Sequence, residues 1–194
     1  MVIGVLALQG DFLEHIQTLT RLGVATKEVR LPKDLEKIDG LIMPGGESTT
    51  MANLLDTFAM RDILVTKIKN GLPVWGTCAG MILLAKKLHD DRPIPLGVMD
   101  IEIARNAFGR QVDSFEEDFA IKNITGGDFH AVFIRAPIVK KVGENVVVLG
   151  KISNGTIIAV QEKNMLATAF HPELTADTRF HAYFLHLVLT KKSK

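Results

Sequence analysis

Through the first half of the chain, short apolar runs alternate with amphipathic segments, and this pattern constrains the fold more than any other feature of the sequence. Val2–Leu8 reads as a strand buried on both faces. The next segment sets Phe12, Ile16, Leu19 and Leu22 at helical spacing, with Gly23 as its stop. Val24–Leu31 and Gly40–Met43 read as strands, Met51–Leu55 and Ile63–Ile68 as helical, Pro73-Val74-Trp75 as a short strand, and Ala79–Leu88 as a helix. Strand and helix alternating at this interval predict an α/β fold with a mostly parallel central sheet flanked by helices. Beyond residue 97 the character changes. Val98–Ala104, Phe129–Arg135, Val146–Leu149, Thr156–Val160 and Leu166–Phe170 are strand-like runs between turn residues, expected as antiparallel additions to the sheet. A last helix, roughly Asp177–Leu189, aligns Phe180, Phe184, Leu187 and Val188, and Lys191–Lys194 is expected to be a solvated tail.

Composition sets the outer limits. With 194 residues, 47% apolar and 23% charged, and no linker or repeat dividing it, the chain reads as one domain spanning 1–194. Basic and acidic residues balance (23 against 22), which removes the bulk electrostatic case for nucleic acid or membrane partners. No apolar run approaches the ~18 residues of a membrane span. The first strand could pass for the core of a signal peptide, but no basic residue precedes it and Gln9-Gly10-Asp11 follows in place of a small-residue cleavage site. The expected location is therefore cytoplasmic. A single cysteine excludes an intrachain disulfide and argues against a thiolate-rich zinc site.

That cysteine sits in Gly76-Thr77-Cys78-Ala79-Gly80, between an expected strand and an expected helix. The spacing is that of a nucleophile elbow with Cys in place of Ser: a tight turn with the nucleophile at its apex and glycines two residues to either side. There the helix N-terminus favours a thiolate and can bind an oxyanion. The alternative is a packing cysteine beside close-packed glycines. A thiol nucleophile needs a base, and the base an orienting group. Of six histidines, His171 stands out because it ends a strand-like run and opens His171-Pro172-Glu173. In an extended segment residues i and i+2 point the same way, which would bring Glu173 beside the His171 ring. The alternative is a solvated strand end. His15, His181 and His186 fall in expected helices, in surface or packing roles. Finally, Pro44-Gly45-Gly46-Glu47-Ser48 follows a buried strand, as either a backbone oxyanion loop or an ordinary turn before a helix cap.

Taken together, the Pro44–Ser48, Gly76–Gly80 and His171–Glu173 segments resemble the class I (triad) glutamine amidotransferases. Leu6–Gly10, Arg105–Glu116, Val132–Pro137 and Phe170–Thr175 narrow the resemblance to the glutaminase subunits of pyridoxal 5′-phosphate synthase, across essentially the whole chain. Glutaminases of the histidine or anthranilate pathways share the triad but not the Arg105–Glu116 block. Two other readings compete: a non-catalytic module on the same fold, which would typically lack one of the three triad residues, and a general thiol hydrolase.

The resemblance implies hydrolysis of L-glutamine to glutamate and ammonia through a glutamyl thioester, with no cofactor and no metal for this step, and delivery of ammonia to a (β/α)₈-barrel synthase subunit. It implies Cys78, His171 and Glu173 as catalytic residues, and Gly46, Glu47, Ser48, Arg105, Ile134 and Arg135 as substrate-binding. Glu47 suits the substrate ammonium, and the two arginines its carboxylate. Backbone N–H groups of Gly46 and Ala79 form the implied oxyanion hole. Arg110 is expected in a surface ion pair. Gln9 and Gly10, at the end of the first strand, are expected to couple partner docking to the Pro-Gly-Gly loop.

Overall fold

The computed structural model describes residues 1–105 and 114–192. The parallel half follows the sequence pattern closely. β1 (Val2–Leu6), β3 (Gly40–Met43), β4 (Val74–Thr77) and β12 (Met165–Thr168) form the centre of a ten-stranded sheet, in the order β2-β1-β3-β4-β12-β11-β9-β6-β5, with β10 paired to β11. All four central strands are apolar and almost wholly buried, because helices cover both faces. β2 (Ala25–Val29) flanks β1, and the pairs β1/β2, β1/β3, β3/β4 and β4/β12 are all parallel. The C-terminal ends of β1, β3, β4 and β12 therefore emerge at one edge, where open α/β sheets place their sites.

The helices are α1 (Phe12–Arg21), α2 (Ser48–Thr57), α3 (Arg61–Lys69), α4 (Ala79–Leu84) and α5 (Arg179–Lys192). α5 buries Phe180, Phe184 and Val188 at four-residue spacing. Phe180 stacks on Trp75 at 6.4 Å between ring centroids. Burying a side chain of this size contributes about 1.5–3 kcal/mol, so this stripe alone is enough to hold α5 on the sheet. No helix among the described residues is long and apolar enough to cross a membrane.

The second half departs from expectation in several places. The expected helix Ala79–Leu88 stops at Leu84, and β5 (Ala85–Leu88) turns into an edge strand parallel to β6 (Met99–Ala104). Lys86 and Lys87 are exposed there and pair with Asp100 and Glu102, a charged edge that resists further strand addition. β9 (Ile138–Val142), not expected, bridges β6 and β11 (Ile157–Glu162), antiparallel to both. β7 (Ser114–Phe119), hidden in the sequence by its charged outward face, pairs antiparallel with β8 (Phe129–Ile134). These two form a separate two-stranded sheet, so the Phe129–Arg135 run is not the addition to the main sheet that was expected. β10 (Val147–Lys151) pairs antiparallel with β11 as anticipated; β12 does so too, but on its other side it pairs parallel with β4, so the Leu166–Phe170 run belongs to the centre of the sheet and is not a purely antiparallel addition. Asn106–Asp113, including Arg110 and its expected ion pair, and tail residues Ser193 and Lys194 lie outside the described residues.

The β4–α4 connection leaves no room for side chains at its glycines. A Cβ on Gly80 would overlap the Met43 carbonyl of β3, and one on Gly76 would overlap the Gly80 backbone. Neither obstacle is a side chain that could swing aside. Gly80→Ala should therefore destabilise the protein by about 3 kcal/mol, or roughly 6–12 °C of melting temperature. A thermal melt at the wild-type midpoint would show that helix and strand are not packed this closely.

Candidate active site

Cys78 occupies the apex of that turn with φ 46° and ψ −102°, a backbone conformation that a non-glycine residue holds only when its surroundings impose it. The imposing contacts are visible. Its N–H donates to the Thr168 carbonyl at 2.8 Å, tying the elbow to the end of β12, and its carbonyl accepts from Ile82 N–H at 3.3 Å, opening α4. The side chain is 7% exposed, and its thiol faces the Ile134 carbonyl at 3.7 Å.

Thr168 leads within three residues to His171, whose N–H donates to the Val132 carbonyl of β8 at 2.9 Å. Its Nδ1 lies 2.8 Å from Glu173 Oε1 and 3.4 Å from Asp11 Oδ2. Both carboxylates stand on the Nδ1 side, so Nδ1–H is the donor and Nε2 is left for Cys78. The His171–Glu173 pairing was expected, but the route to it was not. His171 is the cap of a 3₁₀ turn over Pro172–Leu174, not part of an extended strand end. Proline at the first position of a helical turn is preorganised for it, and the turn brings Glu173 back beneath the ring.

Burial alone would push the His171 ring toward neutrality. Hydrogen bonding with Asp11, Cys78 and Glu173 outweighs it and lifts the pKa from 6.5 to about 12. Glu173 is driven the other way for a carboxylate: burial raises its pKa, while the bond to His171 opposes the rise. Asp11, His171 and Glu173 also place ligand atoms within 4.8 Å of one another, the one such group among the described residues. Their short Nδ1–carboxylate contact is that of a charge-assisted hydrogen bond and needs no ion to explain it.

In front of Cys78 and His171 lies a cleft of about 380 Å³. It brings together Gln9, Gly10, Gly46, Glu47, Ser48, Arg105, Ile134 and Arg135, every expected substrate and coupling residue. Ala79 and Glu173 sit behind this wall, buried. Glu47 caps α2, its carboxylate accepting from Thr49 N at 3.0 Å and Thr50 N at 2.6 Å. Burial works to raise its pKa, but these donors prevail and lower it. Arg105 reaches Glu47 Oε1 at 3.5 Å, so opposite charges face each other at the rim. Gln9 Oε1 accepts the Glu47 N–H at 2.8 Å, and Asp11 N–H donates to the Gly45 carbonyl at 3.1 Å. Both bonds fasten the Pro44-Gly45-Gly46 loop to the end of β1. Arg135, exposed, turns the chain at φ 44° on the opposite wall.

Two lining residues, Asp11 and Ile82, had not been singled out from sequence. Ile82 is hidden in an apolar helix. Asp11 reads in the sequence as an ordinary helix cap, but its carboxylate makes no capping bond and faces His171 instead.

A thiol at a strained strand–helix elbow, a charge-holding imidazole and a buried carboxylate thus meet at the C-terminal edge of a parallel sheet. The model of the SNO glutamine amidotransferase family matches residues 5–190, and the chain belongs to that family. It is 54% identical, over 100% of both chains, to the pyridoxal 5′-phosphate synthase subunit PdxT of Dehalococcoides mccartyi. It is 53% identical to the PdxT subunit of Herpetosiphon aurantiacus, over 96% of this chain and 100% of that one. A solved crystal structure of a glutamine amidotransferase superposes with a TM-score of 0.91 at 48% identity, covering 97% of this chain and 99% of the other.

The raised His171 pKa has a measurable consequence. Its contribution to stability is fully present below pH 6.5 and is lost as pH climbs toward 12. In ¹⁵N imidazole spectra, His171 should stay protonated through neutral pH, and Glu173→Gln or Asp11→Asn should each bring its titration down. A wild-type midpoint near 6.5 would contradict the charge arrangement described.

Proposed function

We propose that this chain hydrolyses L-glutamine to L-glutamate and ammonia through Cys78, His171 and Glu173, and passes the ammonia to the (β/α)₈-barrel subunit of a pyridoxal 5′-phosphate synthase. The observation that carries the reading is the convergence of elbow, imidazole and carboxylate at one cleft, in a chain that matches PdxT subunits from end to end. The whole of 1–194 acts as a single glutaminase domain.

The chemistry balances without a cofactor. Cys78 sulfur attacks the side-chain amide carbon of glutamine, with its proton held on His171 Nε2. The tetrahedral oxyanion lies against the backbone N–H groups of Gly46 and Ala79, the latter at the open N-terminus of α4. The C–N bond then breaks, His171 delivers its proton to the departing nitrogen, and ammonia leaves a glutamyl thioester. Water, deprotonated by the now neutral His171, attacks the thioester, and glutamate departs as Cys78 is restored. Glu173 keeps Nδ1 protonated and the ring oriented throughout. The facing Glu47 and Arg105 suit the ammonium and carboxylate of an α-amino acid, which would insert between them and replace their 3.5 Å contact with two of its own. Ser48, Ile134 and Arg135 complete the binding wall. A reactive free thiol is kept reduced in the cytoplasm, which is where this reading sets the reaction.

Partner control enters through the Pro44-Gly45-Gly46 loop, with Gln9 and Gly10 relaying docking to it. Cys78→Ala should abolish glutamine turnover, a loss of about 10⁴-fold or more, and Glu173→Gln should reduce it by roughly 10²- to 10⁴-fold, with the fold intact by circular dichroism. Robust hydrolysis by Cys78→Ala would end the mechanism. Separately, steady-state glutaminase activity should rise when the chain is titrated with synthase subunit. Equal rates with and without it would remove the docking switch but leave the triad standing.

A further inference from the structure

Behind the triad, on the side away from the cleft, lies a second polar group that the mechanism above does not use. His15 of α1 and His181 of α5 are both 0% exposed. Their rings meet at 3.0 Å, His15 Nδ1 to His181 Nε2. Trp75 walls them in edge-on, at 5.5 Å from the His15 centroid and 4.9 Å from that of His181. On its other side His15 Nε2 stands 3.3 Å from Glu173 Oε2 and 3.3 Å from Thr77 Oγ1. Glu173 Oε2 and His181 Nδ1 are the two buried side-chain polar atoms without an aligned hydrogen-bond partner among the described residues.

We infer that His15 and His181 are positioning residues: a neutral pair, locked in one tautomer, that turns an N–H toward the back of Glu173 and so holds its charge and orientation for His171. This deepens the glutaminase reading and rests on it.

The tautomer follows from counting protons. Burial first, then the charges of His181 and His171, keep the His15 pKa well below its usual value. Burial, with Arg21 adding to it, lowers that of His181 to about 3. Each neutral ring therefore carries one N–H. If His15 donated from Nδ1, His181 Nε2 would have to accept, and its proton would sit on Nδ1, a buried N–H with no acceptor. His15 Nε2 would then turn a lone pair toward the carboxylate oxygen 3.3 Å away. Both features are unfavourable, an orphaned buried donor especially. The opposite arrangement removes them: His181 Nε2–H donates to His15 Nδ1, and His15 Nε2–H faces Thr77 Oγ1 and Glu173 Oε2. Only a bare lone pair on His181 Nδ1 is left over, consistent with its lack of a partner.

The charged and titratable groups that bear on Glu173 are few. His171 holds Oε1 and the residue's own backbone N–H adds to it, Asp11 just before α1 contributes a negative charge, His15 of α1 faces Oε2, and Thr77 of β4 and His181 of α5 act on it through His15. Burial and Asp11 both push the carboxylate toward protonation. The His15 N–H is the donor facing Oε2 that opposes them.

The test uses His15→Phe, which keeps an aromatic of similar volume but no donor, and His15→Gln, whose amide nitrogen can take the place of Nε2. Each chain is assembled with the synthase subunit for glutaminase kinetics. Alkylation of the chain's single cysteine by iodoacetamide is followed against pH in parallel. His15→Phe should lower kcat roughly ten- to a hundredfold with KM unchanged, and move the acid limb of Cys78 alkylation upward by about one pH unit. His15→Gln should recover most of both. His181→Phe, which frees the His15 tautomer, should shift the limb the same way by less, and carries the test if His15→Phe fails to fold. An unshifted limb in His15→Phe, or in His181→Phe where that variant stands in for it, overturns the inference, as does a His15→Gln rate as low as that of His15→Phe with no shift. A wild-type complex without glutaminase activity would instead overturn the functional reading, and this inference with it.

Discussion

The close approach of α4 to β3 is the constraint on which the rest of the site depends. Because Gly80 lies against the Met43 carbonyl and Gly76 against the Gly80 backbone, the chain must reverse within two residues, and Cys78 is forced to φ 46° at the apex. Such a conformation costs on the order of 1–3 kcal/mol, and it survives because β3 and β12 hold β4 from both sides. Met43 pairs with Gly76, and Thr77 with Thr168, so all three strands end at one level. The hydrogen bond from Cys78 N–H to the Thr168 carbonyl then fixes the spacing between the nucleophile and the segment that carries His171. A change of register in any of these pairings would separate thiol from imidazole.

Electrostatics sets the second requirement. Taking an unpaired carboxylate out of water costs several kcal/mol, and Glu173 is 5% exposed. What keeps it ionised is the proton on His171 Nδ1, and what keeps that proton in place is Glu173 together with Asp11. The arrangement is reciprocal, so it is stable only when all the members are present. A solvated Asp–His pair would titrate near 6.5 and give up its charge in the neutral range. In the folded chain, hydrogen bonds with Asp11, Cys78 and Glu173 overcome the opposing effect of burial and move the transition far from it. In the proposed reaction, the site therefore meets glutamine with its proton already in the place from which ammonia would collect it.

Much of this was legible in the sequence, for physical reasons that also explain what was not. Parallel strands buried on both faces leave continuous apolar runs, so β1, β3 and β4 could be read directly, and β12 could be read as a strand though not as a parallel one. The elbow and the His171-Pro172-Glu173 segment were legible because tight turns and fixed proline geometry restrict the residues that can occupy them. β5 and β7 were not, since edge and hairpin strands carry charge on their open face: Lys86-Lys87 in one, Glu116-Glu117-Asp118 in the other. Asp11 and His15 were missed for a different reason. Their partners lie about 160 residues away in the chain, and nothing local distinguishes a helix-cap aspartate that caps from one that does not. Antiparallel pairing in the second half was correct for β10 and β11, while β12 also pairs parallel with β4, β6 with β5, and β8 leaves the main sheet, because alternation specifies a strand and not its neighbour.

Asp11 joins two parts of the site that otherwise have separate origins. Its backbone N–H holds the Gly45 carbonyl, and its carboxylate faces His171. Gly45 itself packs so closely on the His171 ring that a Cβ there would overlap it. Rotation of the Gly45–Gly46 peptide must therefore break a hydrogen bond to the same residue that helps to hold the imidazolium proton, and must slide past the imidazole as it does so. The neighbouring bond from Glu47 N–H to Gln9 ties the other side of the loop to β1. The Pro44-Gly45-Gly46 loop and His171 consequently share one anchor, the short stretch Gln9–Asp11 after the first strand. A force applied to that stretch acts on the loop directly and on the charge of His171 through Asp11. The turn after β1 therefore bears on the loop and on the imidazole at once, through the Asp11 backbone and the Asp11 carboxylate.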